Sequence, residues 1–133
     1  MTTNLVAAPG CLVGQIVTIT GTTENFTYKG YREIIKKLGG IYTEYVSNRT
    51  TMLIYGTETE DGLPIEYSKK FIDVQKENTK AATGERGYKL WDEMGKLLMG
   101  NVEIYSEEEF AAWLESTATP QQRATARLIK MKH

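Results

Sequence analysis

The sequence holds one cysteine, Cys11, and one histidine, His133. A single cysteine excludes an intramolecular disulfide, and this pair alone excludes a Cys/His zinc site. A Ser-His-Asp or Cys-His catalytic centre would have to use the final histidine of the sequence, which argues against both. Cys11 has no basic neighbours in the sequence, so we assign it no catalytic role.

Long hydrophobic runs are also missing. No apolar stretch approaches the ~20 residues that a membrane-spanning helix needs, and the first fifteen residues lack the Lys/Arg cluster that opens a secretion signal. We therefore expect a cytoplasmic protein with no membrane partner. The 133 residues suit one domain with a proper core.

Positive charge is concentrated late in the sequence. The formal net charge is -1, and after Glu115 there are four basic residues and no acid, so residues 1–115 carry a net charge of -5. A net acidic body is not a general nucleic-acid coat, because non-specific affinity comes from neutralising phosphates. Any nucleic-acid contact must be local or must use the basic tail. The tail is also consistent with a solvated, frayed end that binds nothing.

Strand and helix signals alternate along the chain. A β-branched run over residues 16–20 predicts a buried strand that Gly21 stops. Apolar residues at helical spacing then predict a helix from Tyr28 to Leu38, with Thr27 as its N-cap and Gly39-Gly40 at its end.

The rest of the chain adds three strands and further helices. Residues 41–46, 52–55 and 102–105 read as strands, and residues 65–82 and 88–99 read as helices interrupted at 83–87. Ser106 and Glu109 form a capping box that opens a last helix. Strands alternating with helices predict an α/β fold, a sheet with a parallel component covered by helices.

Five features in this order resemble a BRCT domain over residues 15–115. The features are Thr20-Gly21, the helix ending in Gly39-Gly40, the segment 46–50, the strand 53–56 and the closing segment 102–110. The chain is similar above all to the single BRCT modules of bacterial NAD-dependent DNA ligases and of the replication factor C large subunit. The resemblance implies a four-stranded parallel sheet, with the first and third helices on one face and the second on the other.

The same resemblance implies a binding role. BRCT domains are non-enzymatic modules that bind 5′-phosphorylated DNA ends, phosphorylated peptides or other protein domains in DNA repair and replication. Phosphate-binding members use a Ser/Thr hydroxyl and a glycine N–H after the first strand, which places Thr20 and Gly21 here. They add a lysine that opens the second helix, and no cofactor or metal is implied.

The lysine that opens the second helix is hard to identify, because residues 57–87 form a longer segment than the usual BRCT connection after the third strand. Lys89 is the first choice, followed by Lys80, with Lys69 and Lys70 behind. The basic residue expected early in the first helix falls on Tyr28. Lys29 or Arg32 is expected to substitute for it, and Gly56 is a further auxiliary contact.

These inferences divide the chain into a flexible lead-in (1–14), a BRCT-like domain (15–115, with 57–87 as an insertion) and a basic tail (116–133). The leading hypothesis is a module for 5′-phosphorylated DNA ends or nicked DNA, in a bacterial or phage-like cytoplasm and nucleoid-associated if it binds DNA. The alternative is a protein-interaction module that binds a phosphopeptide or pairs with another BRCT domain, including its own copy. An enzyme is disfavoured, because Thr20-Gly21 is not a GxxxxGK[ST] phosphate loop.

The acidic residues Glu58, Glu60 and Asp61 lack the fuller, regularly spaced set of oxygen ligands that a Ca²⁺ loop needs. We therefore interpret them as a solvated loop.

Overall fold

Four short strands form one parallel sheet. In the computed structural model, which describes residues 7–82 and 102–118, they are β1 (Ile16–Thr20), β2 (Ile41–Tyr42), β3 (Met52–Tyr55) and β4 (Glu103–Ser106). Their order across the sheet is β2-β1-β3-β4, and each pairing is parallel. The register sets Thr20 opposite Tyr55, and Tyr55 opposite Ser106, so the carboxyl ends of three strands meet at one edge.

Three helices flank this sheet. Helix α1 (Tyr28–Lys37) begins at Thr27, whose hydroxyl accepts the Gly30 N–H. Helix α2 (Lys69–Ala82) follows a 3₁₀ turn (Ile65–Tyr67). Helix α3 (Glu107–Thr117) begins with the predicted capping box, since Ser106 and Glu109 each accept the other's backbone N–H. Local capping therefore starts α1 and α3 where the sequence predicts.

The sheet separates two apolar clusters. Helices α1 and α3 cover one face, where Tyr31 and Phe110 pack with Val17 and Ile54. Helix α2 covers the other face, where Val74 packs against Leu53 and Val102. This arrangement confirms the predicted fold class, a four-stranded parallel sheet flanked by helices. No helix in the described ranges is long and apolar enough to cross a membrane.

The second strand is shorter than expected. It was predicted over residues 41–46, but β2 pairs with β1 only through Ile41 and Tyr42. After the Thr43 N–H donates to Val17, the Thr43 hydroxyl bonds locally to the Tyr45 carbonyl, and Tyr45 is 78% exposed. The chain leaves the sheet there because an edge strand has no second neighbour to hold it.

The described part of the predicted lead-in, residues 7–14, packs against the rest of the domain. Residues 7–14 form turns, and Ala7 and Leu12 are fully buried in the cluster under α1 and α3. The Leu12 N–H donates to Leu38, and the Ala8 N–H donates to the Thr117 hydroxyl. Two apolar side chains of the predicted lead-in therefore belong to the core on this face of the sheet.

Residues 57–87 are also not simply an insertion, because helix α2 begins within them at Lys69. The helix predicted over 65–82 is confirmed apart from its first turn, which is the 3₁₀ turn. The helix predicted over 88–99 lies outside the described residues. At the other end, α3 runs to Thr117, two residues past the predicted domain end, and the remainder of the tail lies outside the described residues.

Candidate functional site

The cleft of interest lies at the carboxyl ends of β1 and β3. These strands are neighbours, but β1 leads to α1 on one face and β3 leads to α2 on the other. Parallel sheets characteristically bind ligands at such a switch point. The cleft has a volume of about 340 Å³ and is lined by Thr20, Gly21, Tyr28, Thr59, Glu60, Asp61, Leu63, Tyr67, Ser68, Lys69 and Lys70.

Thr20 ends β1 at the floor of this cleft. Its side chain faces the α2 side of the sheet, because its register partner Tyr55 contacts Phe71 of α2 there. The residue is 6% exposed, and its hydroxyl makes no hydrogen bond to another described residue. The Thr18 hydroxyl is fully buried without a partner, whereas the Thr20 hydroxyl is not fully buried. Because Thr20 lines the cleft, its hydroxyl can reach a ligand that enters there.

Gly21 turns the chain with a φ of +84°. A side chain here would meet the Ile65 methyl group and would lie 2.8 Å from the Glu58 carbonyl oxygen, so both conformation and space require glycine. The Tyr28 hydroxyl donates to the Gly21 carbonyl at 2.6 Å. The Gly21 N–H donates to no other described residue, which leaves a second donor beside Thr20.

Tyr28 holds this turn as a neutral donor. Burial, together with the nearby Tyr42, Glu60 and Glu107, raises the pKa of its hydroxyl to about 12. The phenol therefore stays protonated near neutral pH. Tyr28 occupies the position where the BRCT pattern leads us to expect a basic residue, and it acts through the Gly21 carbonyl instead of a charge.

Lys70, in the first turn of α2, supplies the cation. Its ammonium donates to the Ile19 carbonyl at 2.7 Å and lies 5.9 Å from the centroid of the Tyr28 ring. Burial lowers its pKa, while Glu44 and Glu60 act in the opposite direction. The Ser68 hydroxyl accepts the Phe71 N–H at 3.0 Å, as an N-cap residue does, so α2 directs its amino end toward the cleft.

One wall of the cleft is a small turn, here called the acidic hairpin (residues 58–64). Glu58 and Pro64 form an antiparallel bridge, and the Thr59 N–H donates to Leu63. The Thr22 N–H donates to the Glu58 carbonyl at 2.8 Å, which ties the hairpin to the loop after Gly21. This segment, expected as a solvated acidic loop, has an ordered shape that brings Glu60 and Asp61 to the cleft.

The other predicted contacts lie outside the cleft. Lys29 and Arg32 are exposed on α1, and the Arg32 guanidinium lies 5.9 Å from the centroid of the Tyr42 ring. The Gly56 N–H is used by the Thr20 carbonyl, and Gly56 lines a separate cleft beside Ser106 and Glu108.

One of the predicted lysines, Lys80, is also not brought to the cleft. Lys80 pairs with Glu77 at 3.1 Å in the last turn of α2, roughly 15 Å along the helix from Lys70 at ~1.5 Å per residue. Lys89 lies outside the described residues, so its role stays a prediction. The structure thus brings together Thr20, Gly21 and Lys70, of which the last was ranked low. The sequence signal that could have identified Lys70 is Ser68. A serine is a good N-cap, and here it precedes Lys69-Lys70 and a helical apolar stripe.

Comparison with known proteins now adds a family. The BRCA1 C Terminus (BRCT) domain model matches residues 7–83, more than half of the chain, and the chain belongs to this family. A DNA ligase of Bifidobacterium animalis subsp. lactis (strain AD011) is 33% identical over 93 residues, which covers 64% of this chain and 10% of the ligase. The chain therefore spans about a tenth of the length of that relative. The resemblance noted from the sequence is confirmed.

Proposed function

We propose that this chain is a non-catalytic BRCT module of DNA repair or replication that binds a phosphoryl group through Thr20, Gly21 and Lys70. The observation that carries the proposal is the set of three donors on one cleft: an unpaired hydroxyl, an unpaired N–H and a half-buried ammonium. Charge-assisted hydrogen bonds of this kind hold a phosphate dianion well, and the amino end of α2 adds favourable dipoles.

One ligand that this set of donors fits is a 5′-phosphorylated DNA end. The likeness to a DNA ligase supports DNA as the ligand. A terminal monophosphate also carries more charge and more free oxygens than an internal diester. Lys29 and Arg32 on α1 are exposed and would reach neighbouring phosphates of such a DNA. On this proposal the module works in the cytoplasm, at the nucleoid.

Fluorescence anisotropy tests this function with labelled recessed-end duplexes that carry a 5′-phosphate or a 5′-hydroxyl, at moderate salt. We expect the phosphate form to bind about tenfold more tightly, since a hydrogen bond to a charged group contributes ~1.5–3 kcal/mol. Thr20→Ala and Lys70→Gln should each remove most of that preference. Equal affinity for the two duplexes, together with no binding of a phosphopeptide, would contradict the proposal.

Matched variants give that experiment its controls. Thr20→Ser keeps the hydroxyl and should keep the preference. Lys80→Gln makes the same charge change as Lys70→Gln at the far end of α2 and should also keep it. Lys89→Ala tests the lysine that the resemblance favours. If only this variant loses the preference, Lys89 and not Lys70 is the cation of the phosphate clamp, the name used here for Thr20, Gly21 and the lysine beside them.

A second candidate ligand is a phosphorylated peptide. The observation that favours it is the apolar surface on the rim of the cleft, where Leu63 is 50% exposed and Tyr67 is 67% exposed. Peptide side chains that flank a phosphorylated residue would cover such groups, whereas a DNA backbone would leave them in water. The clamp itself does not distinguish the two ligands, because both offer a phosphate monoester.

A further inference from the structure

The charges around the clamp are arranged in two opposed groups. Lys69 and Lys70 lie on the α2 side of the cleft, and Glu60 and Asp61 lie on the acidic hairpin. Lys69 already pairs with Asp73 at 3.2 Å. The negative charge of Glu60 adds to the rise in the pKa of Tyr28 and opposes the lowering of the pKa of Lys70 by burial. The four charged groups that line the cleft therefore sum to zero.

This balance has a consequence for the ligand. A phosphate dianion bound at Thr20 and Lys70 adds negative charge to a cleft that already holds the carboxylates of Glu60 and Asp61, and like charges repel. A ligand with further phosphates would increase the repulsion. A ligand with a positive group next to its phosphate would instead pair with both walls of the cleft.

Besides the acidic hairpin, other features of the cleft indicate a ligand-binding site. Thr20 is more than nine-tenths buried, lines the same cleft and has an unpartnered hydroxyl. Tyr67 and Leu63 lie on the rim in exposed positions. Long basic side chains pack their methylene groups on such apolar surface, and an aromatic face attracts a cation.

We propose, on the basis of the phosphate clamp argued above, that the acidic hairpin selects a phosphorylated peptide in which Lys or Arg adjoins the phosphoserine or phosphothreonine. The phosphate is held by Thr20, Gly21 and Lys70. The neighbouring cation pairs with Glu60 and Asp61, and its stem lies on Leu63 or Tyr67. DNA is the less favourable ligand, because the phosphates next to a DNA end carry the same sign as this wall.

Four peptides of identical length test the proposal by fluorescence anisotropy. Each has a central phosphoserine or serine, flanked on both sides by lysine or by alanine. The wild-type protein should bind the lysine-flanked phosphopeptide about fivefold more tightly than the alanine-flanked one, as expected for two partly exposed ion pairs. The 5′-phosphorylated duplex is measured alongside and should bind more weakly than the lysine-flanked phosphopeptide.

The double variant Glu60→Gln/Asp61→Asn provides the decisive comparison. It should weaken binding of the lysine-flanked phosphopeptide and leave the alanine-flanked one unchanged or tighter, so that the preference disappears. The double variant Glu33→Gln/Glu115→Gln makes the same change in net charge on α1 and α3, away from the cleft, and should keep the fivefold preference. Both variants alter exposed side chains, and thermal melting checks that they fold.

The outcomes separate the inference from the function on which it rests. Phosphate-dependent binding that ignores the flanking residue would overturn the inference and leave the phosphate clamp standing. Tighter binding of the phosphorylated duplex than of either phosphopeptide, strengthened in Glu60→Gln/Asp61→Asn, would also overturn it and would make DNA the ligand. Binding that ignores phosphate in peptides and duplexes alike would overturn both proposals.

Discussion

At the scale of single residues, β1 places two threonines on the same side of the sheet, one buried inside the layer and one at the cleft. The Thr18 hydroxyl is fully buried with no hydrogen-bond partner among the described residues, and a buried polar group without a partner opposes folding. Thr20, two residues further on, reaches the cleft with its hydroxyl unpaired. The same residue type is thus a cost inside the layer and a ligand donor at its edge.

Lys70 is the residue whose protonation we expect to set the alkaline limit of phosphate binding. A phosphate monoester gains its second charge near pH ~6, so affinity should rise through that pH. Burial lowers the pKa of Lys70, although Glu44 and Glu60 oppose the shift. The ammonium is therefore lost at a lower pH than for an ordinary lysine, and affinity should fall there. Anisotropy measured from about pH 5 to pH 10 checks both limbs.

Lys70→Arg identifies the group behind the alkaline limb. Arginine keeps its charge over this range, so the fall in affinity should move to higher pH in that variant, even if binding is weaker throughout. Tyr28 does not account for the limb, because its pKa of about 12 keeps it a donor to Gly21. An alkaline fall at the same pH in Lys70→Arg and wild type would contradict the assignment.

At the scale of elements, local signals located most of the fold. The β-branched run of β1, the apolar stripe and Thr27 cap of α1, and the capping box of α3 each depend on neighbours within a few residues. The length of β2 and the identity of the second helix depend on distant packing. Two segments, 65–82 and 88–99, show helical apolar spacing, and packing of Val74 with Leu53 and Val102 places the helix of the first segment on the sheet.

The site divides along the same line. Thr20 and Gly21 could be placed at the end of β1, because a strand that stops at a glycine is a local pattern, while their expected role came from the BRCT resemblance. Lys70 could not be ranked, since its place in the cleft depends on how α2 crosses the end of β1, where its ammonium meets the Ile19 carbonyl. The place of the acidic hairpin beside the cleft could not be predicted for a similar reason, because its tie to Thr22 comes from a loop more than thirty residues earlier in the chain.

The capping box of α3 gives a prediction at this scale. Ser106→Ala removes the acceptor of the Glu109 N–H and should lower the free energy of unfolding by ~1 kcal/mol. The backbone N–H of Ser106 lowers the pKa of Glu109. The contribution of Glu109 is therefore present above the ordinary glutamate pKa and is lost as pH falls through the lowered value.

Urea denaturation at neutral and acidic pH measures this effect. Ser116→Ala is the control, since its hydroxyl bonds only to the Trp113 carbonyl in the last turn of α3 and should change stability by less than ~0.5 kcal/mol. Equal losses in the two variants would show that the box contributes nothing beyond a surface serine.

At the scale of the whole molecule, the sheet divides a structural side from a binding side. Residues 7–14 join α1 and α3 on the structural side through Ala7 and Leu12, and Ala8 bonds to Thr117 near the end of α3. The cleft, the acidic hairpin and the amino end of α2 lie at the carboxyl edge of the sheet, toward its other face. Stability and ligand binding should therefore respond to different substitutions.

Leu12 and its neighbour Val13 test that separation. Leu12 is fully buried, whereas Val13 is 70% exposed. Leu12→Ala should lower the free energy of unfolding by ~2–5 kcal/mol, because it removes apolar contacts and leaves a cavity under α1. Val13→Ala should change it by less than ~0.5 kcal/mol. Denaturation curves of the two variants measure the difference, which a flexible lead-in would not produce.

The same pair shows whether packing on one face is transmitted to the other. At a temperature where Leu12→Ala remains folded, its affinity for the phosphorylated ligand should match that of wild type, because Leu12 lies in the apolar cluster under α1 and α3 and the cleft lies toward the other face of the sheet. A loss of affinity in the folded Leu12→Ala protein, absent from Val13→Ala, would mean that the sheet couples its two faces and that the geometry of the clamp depends on the packing beneath α1.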